Sequence, residues 1–507
     1  MHSKPAALLA ACLYIGTVLP AKADNIGTAQ ANALQAQMQD WLRGMLGSDT
    51  RLAGRTVQVR PEGDHYRIEL PLGTPRAGQP SPVTLSASAR PAEDGRWTFE
   101  GPTLPSPTSF TLDMPAPARK GQAPGPNIPV EFTITTRDRD NRGTFDPSLA
   151  TPSTLTTSSR DVQIRARSAL ADQLTRIERT SSASALRPSG AGRVDFTGDA
   201  TIEGYTLASR SQDAPPMELS AQQMRATAGI TSLSRDRAAT MIPAVLRLAG
   251  GFLAMMPGPG SNAPAARPPV DPQLLRTILQ SLQDLASEFT LNETFDGVAF
   301  RSGPYNGAMN QARIGMGAKS EAGLLQAYMD LGLDGLVLPD AAPGAMAELL
   351  PRKVALRPML TGVPTEDLIR WLGATADAKG GAQRAPGFAT LLRRAGVTAG
   401  LDSLALDIGS TSFAGAGKLM ALSPDDLAGQ AQITASNFDD LIARVNAVPD
   451  LASVLPLFVF AKGISQTVEG RLVWNLTYRD NKLLVNGTDL SAMTGRSPAQ
   501  GPGPRSR

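Results

Sequence analysis

The sequence predicts an α+β fold, β-rich and elongated, in which long antiparallel meandering sheets carry covering helices. Apolar and polar residues alternate with period two through most of the chain, and short turns join nearly all of the alternating runs. Parallel neighbours need long crossovers, so short turns mean antiparallel meanders. Many runs alternate Thr, Ser or Arg with Val, Ile or Leu, which leaves one face wet and one apolar face to be covered.

The chain opens with a segment that reads as an export signal. Lys4 supplies the basic start, Ala6 to Leu19 the apolar stretch, and Ala21-Lys22-Ala23 a small-x-small site, so residues 1–23 are expected to be cleaved after Ala23. A second reading makes Leu9-Ala10-Ala11-Cys12 a lipoprotein signal, with Cys12 lipidated. An uncleaved anchor needs about twenty apolar residues, and Pro20 and Lys22 interrupt the stretch before that. With arginine far outnumbering lysine, as in GC-rich bacterial genomes, the expected compartment is the periplasm.

Residues 24–256 are expected to form a first, β-rich domain with flanking helices. Ile26, Leu34, Met38, Trp41, Leu42 and Met45 fall at helical spacing before Gly47-Ser48-Asp49 stops them. Val57 and Val59, the turn Pro61-Glu62-Gly63-Asp64, and Ile68 and Leu70 make a hairpin. Further strands are expected at 83–89, 96–100, 110–114 and 130–136, the last followed by a turn at Arg139-Asp140-Asn141-Arg142-Gly143. Others follow at 154–165, 173–185, 192–199 and 201–210, and residues 241–256 read as an apolar helix too short to span a bilayer.

The proline- and glycine-rich stretch 257–270 reads as a linker to a C-terminal α+β domain, residues 271–494. Asp271 and Pro272 start a helix whose stripe runs from Leu274 through Leu282 and Leu285 to Phe289. Strands are expected at 295–301, 312–318, 327–338 and 354–361, with a short helix near Ala345 to Leu350. Two strand-helix units then resemble each other: 354–361 leading into Glu366-Asp367-Leu368-Ile369-Arg370, and 430–435 leading into Asp439-Asp440-Leu441-Ile442 with Arg444. Between them 401–408 and 412–422 form a hairpin. An apolar helix at 451–460, a hairpin over 470–486 and a disordered tail at 495–507 complete the chain.

Composition excludes several chemistries. With 507 residues, 41% hydrophobic and 19% charged, the chain can bury real cores, and a net charge of +3 gives no reason to expect nucleic acid as a partner. One cysteine and two histidines leave only His65 beyond the signal, too few for a zinc site, so no cofactor is expected. Ser-x-x-Lys and Gly-x-Ser-x-Gly are both missing, and His65 stands beside a hairpin turn. Asp138 to Gly143 looks briefly like a calcium loop, but Arg142 and Leu149 stand where ligands are required. The acidic pairs Glu366/Asp367, Asp425/Asp426 and Asp439/Asp440 each sit where a helix begins, where acids favour the positive end of the dipole.

The stretch from Val468 to Leu490, with Trp474, Tyr478 and the turn Arg479-Asp480-Asn481 before Leu483-Leu484-Val485-Asn486-Gly487, resembles the closing hairpin of YdgA-like envelope proteins. The layout as a whole is similar to exported alphaproteobacterial proteins known only as a domain of unknown function, and more loosely to AsmA-like envelope proteins. That resemblance implies curved sheets that offer an apolar groove to lipid, and it brings no catalytic residues.

Two functions of different class follow as expectations. The first is a periplasmic, non-enzymatic protein that binds or carries lipid or another apolar ligand in a sheet groove, with Leu246, Leu248, Phe252, Leu253, Met329, Leu331 and Leu333 as lining candidates and peripheral membrane contact as a consequence. The second is an envelope scaffold that engages a protein partner through sheet edges and the proline-rich segments. A carboxylate-dependent hydrolase ranks below both.

Overall fold

The computed structural model describes residues 26–46, 56–71, 84–92, 96–115, 127–146, 151–212, 214–238, 240–241, 244, 272–282, 284–338, 348–378, 396–423, 426–480 and 482–490. The chain divides into two compact units, Met1–Gly303 and Pro304–Arg507. Both are β-rich, antiparallel and carry a few helices.

In the first unit the strands are β1 (Gln58–Glu62), β2 (His65–Pro71), β3 (Thr84–Pro91), β4 (Trp97–Thr103), β5 (Thr108–Pro115), β6 (Asn127–Asp146), β7 (Thr151–Arg167), β8 (Ala171–Gly190), β9 (Arg193–Ser211), β10 (Met217–Ser234) and β11 (Glu288–Ser302). They pair in chain order, except that β6 is long enough to hold β4 and β5 end to end, through Arg142–Phe145 and Asn127–Ile134 respectively. Helix α1 (Thr28–Leu46) closes the first core. Its Ala31, Leu34 and Met38 recur on one helical face and meet Val57, Val59, Tyr66, Trp97 and Phe145. Gln35 and Gln39, one turn apart, accept hydrogen bonds from the N–H groups of Val59 (3.1 Å) and Val57 (2.8 Å). The outer donors beside β1 are thereby used up, which blunts that edge against another strand.

A transverse line of left-handed residues crosses the long strands: Asp138 (φ 50°), Asp161 (φ 49°), Gly204 (φ 63°) and Gly297 (φ 61°). Adjacent pairs such as Arg160 with Arg179, Glu203 with Arg179 and Gln223, and Asp296 with Gln223 keep these positions in register. On the neighbouring strands, Glu178 and Gln222 lie over the places where a Cβ on Gly204 or Gly297, respectively, would stand. Alternation slips by one residue at this line. In β10, Leu219 and Ala221 on one side share the apolar face with Met224 on the other, and all three pack with Tyr205, Leu207, Ile177, Ile202 and Val298.

Several expectations are corrected here. Arg139–Gly143 is strand interior, because β7 pairs along β6 and the bulge at Asp138 absorbs the polar run. Residues 192–199 and 201–210 belong to one strand, β9, held on both flanks by β8 and β10. Residues 217–234, read without a strand, are β10. The helix that starts at Pro272, α2 (Pro272–Leu282), ends seven residues before Phe289, which lies in β11 opposite Ile230. The expected linker 257–270 lies outside the described residues, as do the signal, Cys12 and the tail. The two units divide after β11 because β10 and β11 are hydrogen-bonded along their length.

The second unit holds β12 (Tyr305–Glu321), β13 (Leu324–Asp334), β14 (Pro351–Pro364), β15 (Thr398–Ile408), β16 (Thr411–Ser423), β17 (Asp426–Ser436), β18 (Gln466–Val468), β19 (Arg471–Arg479), β20 (Lys482–Val485) and β21 (Thr488–Asp489). From β12 to β17 they pair in order, β17 pairs with β19, and β18 and β20 share the other edge of β19. Helices α3 (Thr365–Ala378), α4 (Phe438–Asn446) and α5 (Leu455–Gly463) complete it. Before α5 the apolar run expected as one helix breaks into a 3-10 turn, Pro449–Leu451, since Pro456 sits in the first turn of α5. The two similar strand-helix units are β14 with α3 and β17 with α4. Three pairings separate β14 from β17, so the strands run in opposite directions and the helices leave from opposite ends of the sheet. Among the described residues no helix is long and apolar enough to cross a membrane.

Candidate functional site

Register decides which side chains of the second unit share a face, because directly opposed residues point the same way. On β13, Met329, Leu331 and Leu333 alternate on one side, opposite Met316, Ile314 and Ala312 of β12. Across the next pairing, Leu331 and Leu333 face Leu356 and Val354, and Ala327 faces Leu360. The same face continues through Leu404 and Leu406 of β15 to Gly415 and Phe413 of β16, and then to Ile433 and Ala435 of β17. It ends on β19 and β20 with Leu472, Trp474, Leu476 and Val485. None of these residues is charged.

Other residues carry the polarity on the opposite face. Arg313 bonds Asp330 at 3.1 Å, Arg357 lies 4.6 Å from the centre of the Tyr328 ring, Lys319 pairs with Glu321 at 2.9 Å, and Gln432 bonds Asn475 at 2.9 Å. The hydrogen bond from Lys319 holds the Glu321 carboxyl below its ordinary range. The sheet is thus amphipathic, with these charged groups on the side opposite the apolar residues.

One margin of the apolar face is covered. Phe438, Leu441 and Val445 of α4, with Leu455 and Phe458 of α5, pack on Phe413, Ile433, Ala435 and Trp474. Phe438 meets Phe413 and Trp474 edge-on, at ring distances of 5.9 and 5.5 Å. The indole N–H of Trp474 donates to the Ala461 carbonyl at 2.7 Å and pins α5. The sharp passage from β17 into α4 is made at Asn437, left-handed at φ 55°, whose side chain donates to the Ser410 carbonyl while Thr411 donates to its own carbonyl. At the other margin Val363, Val397 and Ala421 are buried beside the start of α3. Thr365 there bonds the Gly323 carbonyl through both its N–H and its hydroxyl.

Between these margins the face stays partly open. Ile314, Met316 and Met329 are 41%, 38% and 41% exposed, and Leu419 of β16 is similar. On β16 and β17 the face carries small residues, and a Cβ on Gly417 would collide with Ala431. The sequence-predicted residues Met329, Leu331 and Leu333 lie together in it, whereas Leu246, Leu248, Phe252 and Leu253 are outside the described residues. Ile314, Met316, Leu356 and Leu404 were not singled out by sequence, although each stands on an alternating strand.

The remaining candidates are not brought together. The ring Nδ1 of His65 is 3.0 Å from the Asp64 carboxylate, and this hydrogen bond, aided by Arg90, holds the Asp64 carboxyl below its ordinary range. Asp367 is buried and bonds Arg370, Asp440 accepts from Ser410 at 2.7 Å, and Asp439 is bridged to Lys462. Asp367, Asp439 and Asp440 thus each have a partner at a helix start, whereas Asp426, expected where a helix begins, opens the strand β17. Asp138 to Gly143 lies in β6, where Asp140 is engaged by Arg142. Among the described residues no group of three or more His, Cys, Asp or Glu could hold a metal ion. In the first unit a recess of about 380 Å³ is lined by Arg90, Glu100, Arg142 and several threonines, with no histidine among its walls.

Comparison with protein-family models, with curated proteins and with solved structures returns no match to this chain.

Proposed function

We propose that this is an exported, periplasmic, non-enzymatic envelope protein that binds or carries lipid by its acyl chains in the trough of the second unit. The observation that supports the reading is the exposed part of the apolar face on β12 and β13, beside the part that α4 and α5 cover. Each methylene moved from water into such a surface contributes about 0.8 kcal/mol, so a chain laid on exposed Ile314, Met316 and Met329 is held without any polar contact. Size agrees as well. From Leu333 to Ala327 the floor runs six residues of β13, about 20 Å, against roughly 15 Å for the acyl layer of one leaflet, half of a core about 30 Å thick. The YdgA-like ending and the looser AsmA-like layout are part of the same proposal.

A second reading, an envelope scaffold with a protein partner, draws on the outer side of α5, where Leu457 and Val459 are exposed. Against strand addition stands the edge at β1, whose donors Gln35 and Gln39 already occupy.

Mass spectrometry of the mature protein purified without detergent, under native conditions and again after organic extraction, tests the two. Stoichiometric phospholipid or fatty acid is the expected result. A clean apo mass, together with no uptake of a fluorescent fatty acid, overturns the lipid reading, and crosslinking in intact cells that returns only the monomer counts against the scaffold.

A further inference from the structure

Resting on the lipid reading, we propose that Arg352 and Asn310 form an anion site at one end of the trough, and that its ligand is a long-chain fatty acid whose carboxylate is bound there. Alternation carries Arg352 of β14 onto the apolar face with Val354, and Asn310 of β12 with Ala312. Register brings the two to one level of the sheet. Asn310 falls opposite Gly335, between the pairs Gln311 with Asp334 and Ala308 with Val337, and on the other side of β13 the Arg352 carbonyl accepts from the Leu336 N–H at 3.3 Å. A Cβ on Gly335 would collide with the Asn310 amide, so that amide lies across the glycine that separates β12 from β14 here.

Arg352 is a cation without a carboxylate. Its neighbour Lys353, on the opposite face, stands directly between Asp334 and Asp407, and Arg444, which lies over Gly409 at the same end of the sheet, is held by Glu348. Among the described residues neither Arg352 nor Asn310 has a side-chain partner, and both are exposed. A guanidinium takes a carboxylate through two parallel N–H···O bonds, and the Asn310 amide is a further donor beside it. One free cation suits a monoanion. A tail laid from this end passes Ala312 and Leu333, then Ile314 and Leu331, and reaches Met316 and Met329. From Asn310 to Met316 is about 20 Å of strand, against roughly 15 Å for the acyl layer of one leaflet, so one chain spans from the cation to the exposed methionines.

The test measures equilibrium binding of palmitate and of hexadecanol, the alcohol of the same chain length, to the full mature protein at about pH 8, where the carboxylate is ionised. Palmitate is expected to bind about tenfold more tightly, and Arg352→Gln to remove that preference by weakening palmitate alone. Lys353→Gln, which deletes the same charge one residue away on the opposite face, is expected to keep it. Equal binding of the two compounds by the parent protein, or an equal loss of preference in both variants, overturns the anion site and leaves the lipid reading standing. No binding of either compound overturns the lipid reading itself. Phospholipid that stays on the purified protein and is not displaced by palmitate overturns the choice of a fatty acid.

Discussion

The two halves of the apolar face in the second unit have the same alternating pattern and different fates. Near β16 to β20 the face is sealed: Trp474 and Ala435 are buried, and Phe438, Leu441 and Val445 descend on them from α4. Near β12 and β13 it is not, and Ile314, Met316 and Met329 keep about two fifths of their surface in water. Alternation fixes which face is greasy, whereas cover depends on where the chain next sends a helix. The repeated strand-helix unit makes the point, since α3 and α4 leave from opposite ends of the sheet, and Ile314, Met316 and Met329 on β12 and β13 stay exposed.

The sharpest way to break this comparison is to truncate matched residues. Trp474→Ala is expected to destabilise the protein by about 3–5 kcal/mol, since it opens a cavity under α4 and α5 and leaves the Ala461 carbonyl without its indole partner. Met329→Ala, on the same face at an exposed position, should cost no more than about 1 kcal/mol. Urea unfolding measured on both variants decides, and equal losses would mean the two halves are equally buried.

Asn486 sharpens the covered side. Its amide nitrogen donates to the carbonyls of Ile464 and Val473, both at 2.9 Å, and its oxygen accepts from the Asn475 N–H at 3.0 Å, so it ties the exit of α5 to β19. It is also left-handed at φ 49°, a conformation that Asn tolerates better than other residues bearing a Cβ. Asn486→Ala is expected to cost about 1–3 kcal/mol, with hydrogen exchange accelerated first in α5. A loss spread evenly over the second unit would show that the contact is not local.

On the open side the effect should fall on ligand rather than on stability. Met316→Asp with Met329→Asp places two carboxylates on the floor, and retained lipid is expected to fall by about tenfold or more. The midpoint of thermal unfolding should fall modestly, because the two carboxylates stand directly opposite each other across β12 and β13. Unchanged lipid content in the purified double variant would remove the trough as the binding surface.

How much of this was legible in the sequence depends on whether the signal was local. Short-turn hairpins and single-face strands such as β13 and β16 were readable, since alternation needs only the strand itself. β10 was not, because its apolar face shifts from Leu219 and Ala221 to Met224 at the transverse line, so neither parity looks continuous. β6 was split for a related reason, with Asp138 to Gly143 carrying turn residues into a strand whose neighbours supply all the pairing. For the trough, Met329, Leu331 and Leu333 were found, but Ile314, Leu356 and Leu404 join them only through register between strands distant in sequence. The covering role of Phe438 had no local signature at all.

The smallest expected effect lies on the polar side of the first unit, where charge rather than cover is at stake. Arg165 donates to both carboxylate oxygens of Asp172, at 3.0 and 2.6 Å, and Arg167 stands 3.6 Å away. The Arg165 hydrogen bonds hold the Asp172 carboxyl below its ordinary range, with the charges of Arg165 and Arg167 adding to them. A depressed carboxylate pKa stabilises the fold at pH values above the unfolded pKa of about 3.9, and that contribution disappears as the pH falls through the folded value. Both side chains are more than a third exposed, so solvent screens the pair and its contribution is small. Asp172→Asn is therefore expected to lower stability slightly at pH 7 and in low salt, and to match the parent protein once the parent carboxyl is protonated. Urea titrations at pH 7 and below pH 3.5, each with and without added salt, measure this. A deficit that persisted at the acid end would mean that Asp172 acts through shape rather than charge, and that the polar face, like the covered half of the apolar one, is held by packing.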